Sequence, residues 1–191
     1  MKMVDEYDDI MQEISIIMYF IEDTVDCIDQ YYDLYNISLN NIKFINIAPS
    51  FFAQTLNSFK FKINISFSKI FDKSKTSSGI ERLLNRVEQQ KDYNKLCINE
   101  IKEGRILIES YVPIIELLKS VRDKFYAHID KKIILEQEKL QPEFTNYIKL
   151  KEILISTWNV LNKIMVKCGA IELTFPPQRK DLYRLISKNN N

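Results

Sequence analysis

The chain contains one histidine, His128, and six positions before it stands Arg122, followed directly by Asp123. An imidazole takes or gives a proton near neutral pH, and a guanidinium presents a planar fork of donors matched to phosphate oxygens. A proton-transfer group beside a phosphate clamp is what phosphodiester cleavage without a metal requires. On a continuous helix Arg122 and His128 are about 600° of rotation apart, roughly 120° on the wheel. The reach of an arginine covers much of that separation, and a helix end or bend near Tyr126 would close the rest. Lys124 lies four residues before His128, and Lys131 and Lys132 lie three and four after it, so a continuing helix puts them on its face. Their charge disfavours the imidazolium and keeps His128 ready as a base, while the same stripe attracts RNA phosphates. Asp123 is placed to hold Arg122 or a neighbouring lysine. Each feature also has a plain structural reading: a capping or surface histidine, a solvated basic face, and a surface ion pair between Asp123 and Lys119 that is worth little.

Cleavage of RNA by its own 2′-hydroxyl needs a base on that hydroxyl and an acid on the leaving oxygen. One chain offers one imidazole. A two-fold homodimer, the commonest closed assembly, would bring two copies of His128 and Arg122 into one cleft, with Arg122 stabilising the charge of the pentacoordinate phosphate. No metal or other cofactor is called for.

Other chemistries find no footing. There is no G-x-x-x-x-G-K-[ST] loop, because Lys75-Thr76-Ser77 lacks the preceding glycine. A di-iron bundle needs two Glu-x-x-His pairs, and nothing near His128 resembles a nucleophile elbow. Cys27, Cys97 and Cys168 are far apart and odd in number, which argues against a zinc site or disulfide framework and for a reducing cytosol. The net charge of +1 is unlike that of a general nucleic-acid coat, so RNA binding must use a local patch. The apolar run 14–21 is too short to span a membrane, and the acidic cluster before it is opposite to a signal peptide's basic start. The expectation is a cytoplasmic protein with no membrane partner. Trp158 and the tyrosines sit at helical spacing and read as core or dimer contacts before a base-stacking platform.

Three glycines and five prolines leave little material for tight turns, and the length suits a single domain over 1–191. The reading is an all-α bundle. Tyr7, Ile10, Ile14, Ile17, Ile21, Val25, Ile28, Tyr32 and Tyr35 recur at steps of three and four, predicting a long amphipathic helix with its carboxylates outside. Asn40-Asn41 and Pro49 mark a turn. Residues 59–68 alternate as a strand would, yet Phe52, Leu56, Phe59, Ile63, Phe67 and Ile70 form a helical stripe, and no segment offers a strand partner; a mostly buried helix is the better reading. Ser78, with Glu81 three residues on, suggests a capping box for a helix over 80–90. A weaker helix covers 94–104. Pro113 starts or kinks the helix leading through Leu118 and Val121 to the motif. Pro142 opens another, carrying Phe144, Ile148, Leu154, Trp158, Leu161 and Met165, and Gly169 ends it. A last short helix is expected over 179–188.

The run Arg122-Asp123-Lys124-Phe125-Tyr126-Ala127-His128-Ile129-Asp130 resembles the R-x4-6-H motif of HEPN domains, and within them the RDK…AHxD signature of the HEPN-like AbiU family of phage abortive-infection proteins. Ile70-Phe71-Asp72-Lys73-Ser74, with Ser78 and Leu83-Leu84, and the stretch Pro176-Pro177-Gln178-Arg179-Lys180-Asp181-Leu182-Tyr183 are similar to that family's middle and C-terminal regions. The likeness covers roughly the last two thirds of the chain. It implies a HEPN-like helical bundle, homodimerisation, endoribonuclease activity in phage defence or a toxin–antitoxin system, and a cognate antitoxin as a possible partner. Some HEPN toxins carry a modifiable tyrosine two residues after the histidine; Asp130 stands there instead. Some HEPN domains do not cleave RNA, so a non-catalytic helical interaction or immunity module is the alternative.

Overall fold

The computed structural model describes residues 2–74, 78–123 and 146–176. Every regular element among them is a helix, as the stripes predicted. The order is α1 (Lys2–Asn40), α2 (Ile42–Ile45), α3 (Pro49–Ile70), α4 (Ile80–Gln89), α5 (Lys91–Ser110), α6 (Val112–Val121) and α7 (Tyr147–Lys167). No helix among the described residues is long and apolar enough to cross a membrane. The expected helix over 179–188 and the start at Pro142 lie outside the described residues.

Helix α1, 39 residues long and therefore about 58 Å from end to end, is the mast of the bundle. Helices α3 and α7 pack along it and α4 touches it, while α5 packs against α4 and α7, and α6 sits against α3 and α5. The α1 stripe is buried as expected from Ile10 to Ile28. Beyond that the buried face shifts by one residue. Tyr31 is buried and Tyr35 is exposed, because the Tyr31 ring meets the edge of Tyr147 at the start of α7, at 5.0 Å between centroids.

The carboxylates of α1 do not simply face water. Glu13 pairs with Arg86 of α4, Asp23 with Lys62 of α3 at 2.8 Å, and Asp29, itself buried, with Lys151 of α7 at 2.5 Å. Glu22 accepts the indole N–H of buried Trp158 at 2.8 Å. The positions read as a solvent face are instead latitudinal ties from the mast to three neighbours.

Residues 59–68 lie wholly within α3. Phe52, Ile63, Phe67 and Ile70 are buried, whereas Phe61, which completed the alternating pattern, is exposed. The helix is amphipathic rather than mostly buried, since its first half is largely open to solvent. Ser78 does not cap α4. Gly79 is the N-cap residue and no side chain bonds to the helix end. A Cβ on Gly79 would stand 2.4 Å from the carbonyl oxygen of Asp72, so close passage of the chain past residue 72 demands glycine there.

Helix α5 runs beyond Gly104 to Ser110, and it bends at Cys97, whose φ of −117° and ψ of 16° leave the helical region. Gly104 lies where α5 crosses its neighbours: a Cβ would meet Leu84 of α4 at 3.0 Å and Val160 of α7 at 3.4 Å. Helix α7 starts at Asn146, whose side chain accepts from the Lys149 N–H at 3.3 Å. It ends as the sequence indicated. Gly169 takes φ 91°, its N–H bonds to Val166 and the Ala170 N–H to Met165, a Schellman closure that uses the left-handed glycine. The irregular chain that follows folds back: Asn162 exchanges two hydrogen bonds with the backbone of Leu173, and the Phe175 ring meets Trp158 at 5.2 Å.

Candidate functional site

Helix α6 delivers the motif. Pro113 stands in its first turn, where the missing N–H costs nothing. Ile115, Leu118 and Val121 are buried, anchoring the helix against α3 and α5. Each is three residues after the last, so the anchored face ends at Val121 and the next residue is carried round toward solvent. That residue is Arg122. Its backbone stays helical, at φ −55° and ψ −51°, and its N–H still bonds back to Leu118 and Lys119. At Arg122 and Asp123 the α-helix passes into a wider π-type turn, a local feature often found at functional sites. The helix end or bend near Tyr126 that the spacing suggested lies outside the described residues.

The side chains of Arg122 and Asp123 are brought together. Arg122 Nε donates to Asp123 Oδ1 at 2.8 Å, and Nη2 lies 2.7 Å from the same oxygen. Consecutive helical residues do not ordinarily face each other. Here the arginine curls back along the helix end to reach its neighbour, which fixes the plane of the guanidinium. The Arg122 side chain is 25% exposed and that of Asp123 57%. The guanidinium thus sits half-sheltered on a rigid helix, oriented from one side by an aspartate in water. Among the described residues Asp123 pairs with Arg122 and not with Lys119.

Lys124, His128, Lys131 and Lys132 lie outside the described residues, as do Tyr126 and Asp130. The expected convergence of His128 on Arg122 therefore has its arginine half described. Among the described residues no three of His, Cys, Asp and Glu gather as metal ligands. A groove of about 250 Å³ between α1 and the end of α3, lined by Ile16, Phe20, Lys69, Ile70 and Asp72 among others, includes no residue of α6.

Sequence reasoning missed the closeness of Cys97 and Cys168, whose sulfurs lie 3.7 Å apart. They are 71 residues apart in sequence, and no local pattern could have paired them. It also missed the aromatic knot of Tyr31, Tyr32 and Tyr147 at the junction of α1 and α7, which fits the core role expected for these tyrosines.

The HEPN AbiU2 family model, described as AbiU2, matches residues 2–184. The match takes in α1 as well as the middle and C-terminal regions that carried the resemblance. No curated protein and no solved structure matches the chain. With almost its whole length covered, the chain belongs to the HEPN AbiU2 family.

Proposed function

We propose that this HEPN-type abortive-infection protein is an endoribonuclease that cuts single-stranded RNA without a metal, at a site built by two copies of the chain. The observation that carries the reading is the orientation of Arg122: a guanidinium fixed by Asp123 at the end of an anchored helix, six residues before the one histidine. His128 of one copy removes the proton from the 2′-hydroxyl, and the oxygen attacks the adjacent phosphorus. Arg122 stabilises the charge on the pentacoordinate phosphate. His128 of the other copy protonates the departing 5′-oxygen, leaving a 2′,3′-cyclic phosphate and a 5′-hydroxyl. Lys124, Lys131 and Lys132 bind the RNA backbone. The chain acts as one domain over 1–191, in the cytoplasm, and a cognate antitoxin would hold it in check.

The test is purified protein with end-labelled single-stranded RNA in excess EDTA, with light scattering alongside. Cleavage by a dimer, yielding cyclic-phosphate ends and lost in His128→Ala, is expected. Cleavage that vanishes with EDTA, that survives His128→Ala, or that a monomer performs would overturn the mechanism. No cleavage of any RNA would favour a non-catalytic interaction module.

A further inference from the structure

The bend in α5 and the end of α7 place two thiols in contact. Cys97 sits at the one residue of α5 with non-helical backbone angles, fully buried. Cys168 caps the C-terminus of α7 and is partly exposed. Their sulfurs are 3.7 Å apart and share a hydrogen bond, and Cys97 also lies 3.9 Å from the Ile164 carbonyl oxygen. The residue after Cys168 is Gly169, around which a Cβ would meet nothing within 4 Å. The backbone beside Cys168 thus has room to adjust.

We propose that Cys97 and Cys168 are a peroxide-responsive thiol pair that closes into an intrachain disulfide and fastens α7 to α5. The third cysteine has no such chemistry. Cys27 is buried in α1, its sulfur near the Phe59 carbonyl, and burial pushes its thiol up to about 11, which keeps it protonated and inert.

The reaction balances with hydrogen peroxide as oxidant. The neighbouring S–H holds the Cys97 thiol below its ordinary range, against burial and the Glu100 carboxylate and with help from Lys167, while the same contact and burial hold the Cys168 thiol above it. The first ionisation belongs to the pair, with one proton between two sulfurs. When the proton the pair shares sits on Cys97, the sulfur of the partly exposed Cys168 meets peroxide as a thiolate. It takes one oxygen as the O–O bond breaks, giving a sulfenic acid, and the departing hydroxide takes the proton released in the first ionisation to become water. The Cys97 sulfur then attacks that of Cys168. The S–S bond forms, the S–O bond breaks, and hydroxide leaves with the remaining proton as a second water. Two thiols are oxidised by two electrons and one peroxide is reduced.

The experiment treats the reduced full-length chain with hydrogen peroxide, blocks remaining thiols under denaturing conditions, and maps peptides without reduction. A cross-linked peptide joining Cys97 and Cys168 is expected, with Cys27 still blocked, reversal by dithiothreitol, and no mass loss of two hydrogens in Cys168→Ser. Closing so long a loop should raise the thermal midpoint by about 5–15 °C. Oxygen added to either cysteine without the cross-link, a bridge through Cys27 or between chains, or a bridged protein no more heat-stable than the reduced one would overturn the proposal.

Discussion

Two arginines of this molecule each hold one carboxylate, and they do opposite work. Arg86 of α4 pairs with Glu13 of α1, 73 residues away, and the Glu13 side chain is only 12% exposed. Arg122 pairs with the next residue in the chain, and that aspartate is 57% exposed. The first pair closes a long loop and sits where water competes weakly. The second closes nothing: neighbours in sequence are equally near in the unfolded chain, and an exposed pair contributes little to stability. What it does fix is where a guanidinium points. Under the proposed function, a donor group oriented in this way is what meets the phosphate. On that reading, Arg86 belongs to the frame and Arg122 to the working end.

The largest effect expected from this contrast is at the working end. Arg122→Lys keeps the charge but loses the planar fork, and His128→Ala loses a proton-transfer group; each should lower RNA cleavage about 10²- to 10⁴-fold. Arg122→Lys should not move the thermal midpoint measurably. A fall in the midpoint of Arg122→Lys matching its fall in activity would place Arg122 in the frame and erase the contrast.

The converse variant is Glu13→Ala. It leaves Arg86 facing α1 without its carboxylate, at a cost of about 1.5–3 kcal/mol, or roughly 3–12 °C in a chain of this size. Cleavage per folded molecule should stay at the wild-type rate. Calorimetry and RNA assays on one preparation check both halves, and an unchanged midpoint would show that the pair is no tie.

Gly104 sharpens the description of the frame. In an open helix, alanine in place of glycine gains about 0.8–1 kcal/mol. Here the added methyl must displace side-chain ends of Leu84 and Val160. The two effects oppose, and Gly104→Ala should be neutral to destabilising by about 1 kcal/mol or less. A gain of the full propensity term in denaturant unfolding would mean that α4, α5 and α7 are less tightly crossed than the contacts indicate.

That glycine also shows how far the sequence could be read. Periodicity found the helices because burial is periodic. The α1 stripe is buried from Ile10 to Ile28, and so are Phe52, Ile63, Phe67 and Ile70 of α3 and Leu154, Trp158 and Leu161 of α7. Ile148 of the α7 stripe is exposed, because the buried face there runs through Tyr147 and Leu150. Where two periods competed in α3 the helical one prevailed for want of a strand partner. Local chemistry placed Pro113 and Gly169 correctly, since both act through their own backbone. It failed where tertiary contact decided. The weaker helix over 94–104 runs in fact from Lys91 to Ser110, and Gly104 within it is a crossing point. Ser78 reads as a cap, but close passage past Asp72 puts Gly79 there. The carboxylates of α1 read as a solvent face because their partners, Arg86, Lys62, Lys151 and Trp158, are remote in sequence. At the site, adjacency let Arg122 and Asp123 be paired from the sequence, while the pairing of Cys97 with Cys168 depended on a bend in α5 that no residue type announces.

The smallest effect tests the pairing itself. Asp123→Asn removes the charge from the acceptor while keeping its shape and one oxygen in place. The guanidinium keeps a weaker neutral hydrogen bond, and its orientation becomes less tightly held. An exposed pair of this kind is worth about 0.2–1 kcal/mol, which sets the expected loss in cleavage rate at about 1.4- to 5-fold. The loss should fall on the rate at saturating RNA, because the arginine acts on charge that develops in the transition state, and the midpoint of unfolding should not move. A loss as large as that of Arg122→Lys would mean that Asp123 itself takes part in the chemistry. No loss at all would mean that Arg122 is oriented by something other than its neighbour, and the distinction between the two arginine pairs would then rest on exposure alone.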